Sequence, residues 1–409
     1  MSTLNNESSE ARFLRIAIVL GLLSAIGPFA IDMYLPALPS IGKELATDPT
    51  TVQLSLLAFF ATMGLGQIVV GPISDMIGRK RPMYLGLGLF VLGSIGSALA
   101  PGIHWLIGFR LIQGFGACSG MVVPRAVVRD LHTGTEAARL MSLLMLVFSV
   151  SPILAPLTGS FVIQCFGWRA VFWVVTVAAL LAVILLATSL KETRSVEDRA
   201  GSSLKSALTG YLFLLREPNF LGLTFIGSFG ISSFFVYLSS SSFILINHYK
   251  LSPPLYSFFF SLNAAAFFAA SQLTGTLSER FGLKRLVRVA VTGYAVMLVG
   301  LLVIAASRVD RLDVLVLLLF VGNGFLGLVI PATSVLAMED YGGFAGTASA
   351  LMGTLQFATG AICMIVAGIF FDGTPLPMIT GIAICAVITF IIAQVTLSRG
   401  GDMAASPAD

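Results

Sequence analysis

Twelve stretches of roughly 20 apolar residues follow one another along this chain, at about 16–38, 50–72, 82–100, 104–128, 137–163, 168–190, 218–246, 254–278, 285–306, 312–338, 344–371 and 377–397. A helix that crosses a bilayer needs about that length, since hydrocarbon holds no water to satisfy exposed backbone groups. Soluble helices this long would carry a polar face, and these have none. Of the 409 residues 56% are hydrophobic and 11% charged, against about a quarter charged in a soluble domain. The expected fold class is therefore an all-α, multi-pass membrane protein rather than a large soluble enzyme. The polar opening MSTLNNESSE leads into Arg12 and Arg15 and then an apolar run without a small-residue cleavage site. The first stretch is expected to stay as a helix, not to be removed as a signal peptide.

With the amino terminus inside, eighteen of the 24 lysines and arginines fall in inward connections. Five (Lys43, Arg169, Lys250, Arg308 and Arg311) fall outside, and Arg110 lies within a helix. Positive charge marks the cytoplasmic side, so both termini are expected in the cytoplasm and the protein in a bacterial inner membrane. The net charge of +4 then reports orientation and gives no reason to expect nucleic acid. The four cysteines, Cys118, Cys165, Cys363 and Cys385, lack metal-ligand spacing and read as buried, inert thiols. His104, His132 and His248 sit at different helix ends, so no metal is expected. No phosphate loop G-x-x-x-x-G-K-[ST] occurs. The polar loops are too short to fold an ATPase, so no cofactor is expected and any work must draw on a gradient.

The longest interior polar stretch, residues 191–217, contains KETRSVEDRAGSSLKS and reads as a charged cytoplasmic linker. It divides the chain into six helices over residues 1–190 and six over 218–409. The two parts echo one another. GPISDMIGRKR at 71–81 matches GTLSERFGLKR at 275–285, displaced by 204, and GMVVP at 120–124 matches GLVIP at 327–331, displaced by 207. Two echoes in equivalent places point to duplication and to two pseudo-symmetric six-helix bundles.

Polar residues inside the apolar spans carry the functional reading. Gly71-Pro72-Ile73-Ser74-Asp75-Met76-Ile77-Gly78-Arg79-Lys80 resembles the major facilitator signature G-x-x-x-D-x-x-G-R-[RK] between helices 2 and 3. Gly71 suits close helix approach and Gly78 a tight turn. The resemblance implies that Asp75 belongs to a latch closing the cytoplasmic side, with Arg79, Arg125 or Arg129 as partner and Lys80 beside it. Arg79, Lys80 and Arg81 also serve to orient the helices. Arg110-Leu111-Ile112-Gln113-Gly114-Phe115-Gly116 is similar to a second family motif, R-x-x-Q-G-x-G, linked to proton transfer. An arginine within a span is costly unless it faces a partner or a cavity, though it can also snorkel outward. Asp32 is the acidic residue within the apolar body of the first six helices. Lack of water disfavours its charged form, which suits it to take up and release a proton, although an ion pair or a surface position would also accommodate it. IDMYLPALPSI, with FGWRAVFW at 166–173, resembles the bicyclomycin and chloramphenicol resistance branch of the major facilitators, which are twelve-helix drug and proton antiporters. Helix 5 departs from that pattern, with Ser151-Pro152-Ile153-Leu154-Ala155-Pro156 in place of a leading glycine-proline pair.

The resemblance implies a cavity lined by helices 1, 4, 7 and 10, and a monomer. Tyr34, Gln113, Phe234, Phe235, Tyr237, Asn263, Asn323 and Gln356 are the candidates for contact with a small-molecule substrate. With 31 phenylalanines in the chain, packing is the commoner fate of any one of them. An apolar pocket with few polar groups suits small amphipathic molecules. Three functions fit, in descending order: proton-coupled efflux of such molecules with Asp32 and Arg110 as the coupling pair, proton-coupled import of a metabolite, and a non-transporting membrane receptor. An enzyme is not expected, for want of a nucleophile, base or metal constellation.

Overall fold

The computed structural model describes residues 2–132, 134–200, 203–339, 341 and 345–402. Among these residues the structure is helical and holds no strand. The first part contains α1 (Ser2–Asp32), α2 (Leu38–Glu44), α3 (Pro49–Ile77), α4 (Lys80–Ala98), α5 (Ile103–Leu131), α6 (Gly134–Phe166) and α7 (Arg169–Ser189). Two short helices follow in the linker, α8 (Val196–Ala200) and α9 (Leu204–Leu214). The second part contains α10 (Pro218–Ser242), α11 (Pro253–Phe281), α12 (Leu283–Ala306), α13 (Leu312–Glu339), α14 (Ala345–Ile369) and α15 (Pro375–Asp402). Gly201 and Ser202 of the linker lie outside the described residues, as do the side chains of Arg12 and Arg399.

Among the described residues eleven spans are long and apolar enough to cross a membrane, α1 and α2 together forming one of them over Phe13–Glu44. The twelfth long helix, α4, has nineteen residues and opens on Lys80 and Arg81, which shortens its apolar part. It nevertheless packs along α5 and α7 within the bundle. Large apolar side chains such as Leu85, Phe161 and Ile369 stand exposed on the outer faces of the helices. In water such a surface would drive association; in a bilayer it is the face that meets lipid. Cys118 and Cys385 are buried, Cys363 is half-buried and all four thiols are free. Cys165, next to last in α6, is exposed, unlike the buried thiol the sequence suggests, because the helix end over residues 164–167 is exposed throughout.

By contact the chain divides into two compact units, residues 1–47 with 54–208, and 48–53 with 209–409. In the first, α4 lies on α5 and α1 on α6. The α4–α5 approach depends on Gly116, where a methyl group would collide with the backbone of Phe90 and Gly86. Small residues permit this closeness where no hydrophobic effect drives the helices together. In the second, α11 lies on α13, α12 on α13 and α15, and α10 on α14 and α15.

Candidate functional site

The first span is not one continuous helix. α1 ends at Asp32, Leu35–Ala37 make a 3₁₀ turn, and α2 starts at Leu38. Pro36 and Pro39 lack the backbone donor that would carry the α-helix through. Asp32 therefore stands at a break in a membrane span, 4% exposed, and it has no hydrogen-bond or ion-pair partner among the described residues. Broken helices of this kind leave backbone and side-chain polar groups open to cargo in transporters.

Arg110, on α5, is fully buried. No ion pair joins it to Asp32; rings surround it instead. The guanidinium carbon lies 4.3 Å from the Phe59 ring centre, 4.6 Å from that of Tyr34 and 5.8 Å from that of Phe172. A desolvated cation held against aromatic faces recovers about 2 kcal/mol or more from such contact. Nη1 donates to Gln113 Oε1 at 2.5 Å, Gln113 Nε2 donates to Ser94 Oγ at 2.7 Å, and Ser94 Oγ donates to the Phe90 carbonyl at 2.7 Å. Nε and Nη2 of Arg110 have no partner among the described residues. Tyr34 is tied through its hydroxyl to Ser55 Oγ at 2.7 Å. Both ends of the Gln113 amide are thus engaged within the first unit, and this side chain fixes Arg110.

The FGWRAVFW segment supplies the floor of this aromatic box. Trp168 Nε1 donates to Glu44 Oε2 at 2.7 Å, Arg169 pairs with the other oxygen of Glu44, and Arg169 lies over the Trp168 ring at 4.2 Å. These contacts pin the start of α7 to the end of α2. One turn on, Phe172 meets Tyr34 with ring centres 5.5 Å apart. Phe59, Phe172, Ser55 and Ser94 are neighbours of Arg110, Tyr34 and Gln113 that sequence reasoning does not single out. Only the segment 166–173 gave a signal, through its family resemblance.

The signature loop forms a second centre. Gly78 turns the chain at φ 94°, a left-handed conformation that glycine adopts without steric cost. The turn swings Arg79 back onto α3. Its Nη1 reaches Asp75 Oδ1 at 2.6 Å and Ser74 Oγ at 2.9 Å, while Nε and Nη2 grip both oxygens of Asp130 at 2.7 and 3.0 Å. Ser74 Oγ also donates to the Gly71 carbonyl at 2.8 Å. Lys80 places its ammonium 5.7 Å from the Tyr84 ring centre. Arg125 and Arg129, one turn apart on α5, stand beyond ion-pair distance from Asp75. The linker closes over the loop. Glu192 accepts from the backbone N–H of Arg79 at 2.8 Å and of Lys80 at 3.1 Å, Thr193 donates to Asp130 at 3.0 Å, and Arg194 Nε donates to the Asp75 carbonyl at 2.9 Å. Glu192 thereby caps the amino end of α4, where a negative charge is favoured. Burial pushes its carboxyl up, but the N–H groups of Arg79, Lys80 and Arg194 with the Arg199 guanidinium outweigh this and hold it below the usual glutamate range.

In the second unit, α11 presents Phe260, Asn263 and Phe267 on one face. Phe260 stacks on Tyr237 at 5.8 Å with the rings nearly parallel, and Phe234 lies 6.1 Å from Phe260 and 6.5 Å from Phe267. Asn323 Nδ2 donates to Asn263 Oδ1 at 3.1 Å, and Asn263 Nδ2 donates to the Phe259 carbonyl at 2.9 Å. Four of the predicted residues, Phe234, Tyr237, Asn263 and Asn323, make these contacts around α11; Phe235 and Gln356 are placed elsewhere in the second unit. Phe235 packs away from this cluster, against Phe357 at 5.4 Å and over Gly360. Gln356 lies beside Gly227, where an added methyl would meet its Nε2 at 3.4 Å. Aromatic faces with two linked amides can hold a flat apolar molecule and orient one polar group on it.

The family model described as Major Facilitator Superfamily matches residues 20–364. The chain is 36% identical over 387 residues to the uncharacterised MFS-type transporter YdgK of Bacillus subtilis (strain 168), covering 94% of this chain and 96% of that one. It is 30% identical over 404 residues to a bicyclomycin resistance protein homolog of Haemophilus influenzae, covering 97% and 98%. Among solved structures, that of a D-xylose–proton symporter superposes with a TM-score of 0.71 at 17% identity, covering 93% of this chain and 95% of that one; at that identity it bears on fold alone. A matched family model over most of the chain, the signature loop with its bound arginine and the twelve-helix layout agree: this chain belongs to the Major Facilitator Superfamily, in the branch of the bicyclomycin and chloramphenicol resistance proteins.

Proposed function

We propose that the protein is a proton-driven exporter of small amphipathic, drug-like molecules, working by alternating access across the bacterial inner membrane with both termini in the cytoplasm. Asp32 carries this reading: a buried carboxylate without a partner, at a break in a span, is costly to keep and suits a group that must change protonation. A proton arriving from the periplasm neutralises Asp32 and the substrate leaves. Loss of that proton toward the cytoplasm restores the carboxylate and substrate binds again. Arg110, with two donors still open in its aromatic box, biases that exchange through its positive charge. Tyr34 and Gln113 shape the first half's side of the path, and Phe234, Phe235, Tyr237, Asn263, Asn323 and Gln356 offer substrate contacts in the second. Gly71, Asp75, Gly78, Arg79, Lys80, Arg125 and Arg129 form the cytoplasmic gate, and residues 191–217 link the halves 1–190 and 218–409 of a monomer. The bicyclomycin resistance relative supports export over import.

The test uses inside-out vesicles with labelled chloramphenicol and bicyclomycin as probes. The wild-type chain is expected to accumulate a probe when the vesicle interior is acidified. Asp32→Asn is expected to abolish that accumulation and keep part of the binding. Full proton-driven accumulation by Asp32→Asn would refute the coupling role. Uptake into right-side-out vesicles under an inward proton gradient would instead assign import.

A further inference from the structure

The linker helix α9 has an apolar arc wider than the protein covers. Gly210, Tyr211 and Leu214 are buried, and Phe213 and Phe220 both pack on Tyr341, with ring centres 6.4 and 5.7 Å away. Next to this seated side runs a stripe of leucines, Leu204, Leu208, Leu212 and Leu215, at 55, 59, 50 and 42% exposure. Leu215 continues the helical turn through its N–H to the Tyr211 carbonyl at 2.9 Å. At 100° per residue the four leucines fall in one wedge, and Lys205, Thr209 and Ser206 fall beyond it, with the half-exposed Phe213 between the last two.

Four large apolar side chains at that spacing make a continuous strip about 17 Å long, and it ends close to the next membrane span. The membrane span that follows begins at Pro218, three residues after Leu215, so the strip's end lies within roughly 11 Å of that span. A helix that carries an apolar strip beside a span can lie in the plane of the interface with that strip toward the acyl chains. Lys205 and Arg216 flank the strip, and basic residues beside a bilayer gain about 1 kcal/mol each from anionic lipid.

We propose that the leucine face of α9 is a lipid-docking surface, seated in the headgroup–acyl boundary of the adjacent leaflet with anionic phospholipid as its partner. The full-length chain, cleared of its own cysteines and given single cysteines at Leu204, Leu208, Leu212, Ser206 or Thr209, is spin-labelled in nanodiscs of phosphatidylethanolamine and phosphatidylglycerol. Labels at the leucines are expected to collide several-fold more with oxygen than with a water-soluble nickel chelate, and labels at Ser206 and Thr209 to show the reverse. Nickel access at the leucines equal to that at Thr209 would overturn the proposal, and so would access by neither agent, which would mean a protein cover. Replacing phosphatidylglycerol with phosphatidylcholine is expected to lower the oxygen excess at Leu204; no change would overturn the anionic preference. On the unaltered chain, phosphatidylglycerol with a photoactivatable acyl group is expected to label residues 204–216. Labelling of the spanning helices without that segment would overturn the docking. Neither readout needs transport, so the outcome is separate from that of the export reading.

Discussion

Gly78 and Gly282 turn the chain alike at the two copies of the repeated loop, at φ 94° and 79°, yet what surrounds them differs. At the first copy Arg79 binds Asp75 and Asp130, and Glu192 closes over the turn. At the second, the residue displaced by 204 from Arg79 is Leu283, and those displaced by 207 from Arg125, Arg129 and Asp130 are Ala332, Leu336 and Ala337. Glu279 is exposed there, and a methyl at Gly282 would touch nothing within 4 Å. The turn needs its glycine for backbone reasons in both halves. Among the described residues the ionic lock belongs to the first half: the second keeps a carboxylate at Glu279 but has Leu283 and Ala337 where the lock needs Arg79 and Asp130.

The largest expected effect is at the arginine. Arg79→Ala removes the partner of Asp130, whose side chain is 13% exposed. Stranding a buried charge typically costs about 3–5 kcal/mol. The unfolding midpoint in detergent is expected to fall accordingly, and Arg79→Lys to give an intermediate loss, since an ammonium cannot reproduce the two-pronged grip on Asp130. Leu283→Ala at the counterpart is expected to cost less than about 1 kcal/mol. Equal losses at the two sites would break the contrast between the halves.

The glycines come next. Gly78→Ala meets two obstacles: a left-handed backbone worth roughly 1–2 kcal/mol against an L side chain, and a Cβ placed 2.6 Å from Glu192 Oε2 and 2.8 Å from Arg199 Nη2. Gly282→Ala meets only the first. Gly78→Ala is expected to be the more destabilising by about 1 kcal/mol, and the excess to vanish when Glu192 and Arg199 are both alanine, as mutant cycles on unfolding midpoints would show. An excess that survives without both side chains would place its cause elsewhere.

Much of this was readable from the chain before its structure. A carboxylate and an arginine inside apolar spans stand out because hydrocarbon makes them expensive, and the signature loop stands out through its repeat. Asp130 and Glu192 do not, because their contacts with Arg79 join residues 51 and 113 positions apart. Each also sits in a polar stretch at a helix end, where a charge looks ordinary. Phe59 and Phe172 stay hidden for the opposite reason: among 31 phenylalanines, nothing in composition tells a ring that cradles a cation from one that packs a core. The linker reads as loop because its charges dominate, and only the fold shows that its front caps α4 and its rear forms α9.

The smallest expected effect sharpens the contrast by pH. Glu192 is held below the ordinary glutamate range, so it releases its proton more readily in the folded chain than in the unfolded one. Its stabilising share is complete above the unfolded value, 4.5, and fades as pH falls through the lower, folded value. Glu192→Gln keeps an acceptor for one N–H but removes the charge from the helix end. It is expected to cost about 0.5–1 kcal/mol at neutral pH and to cost nothing once both chains are measured at a pH below the folded value. Unfolding midpoints of the two chains should therefore converge on acidification. The corresponding change in the second half, Glu279→Gln, touches an exposed carboxylate and is expected to cost less than about 0.5 kcal/mol at neutral pH. Parallel curves for Glu192→Gln and its parent would mean that the linker carboxylate rests on the loop without stabilising it.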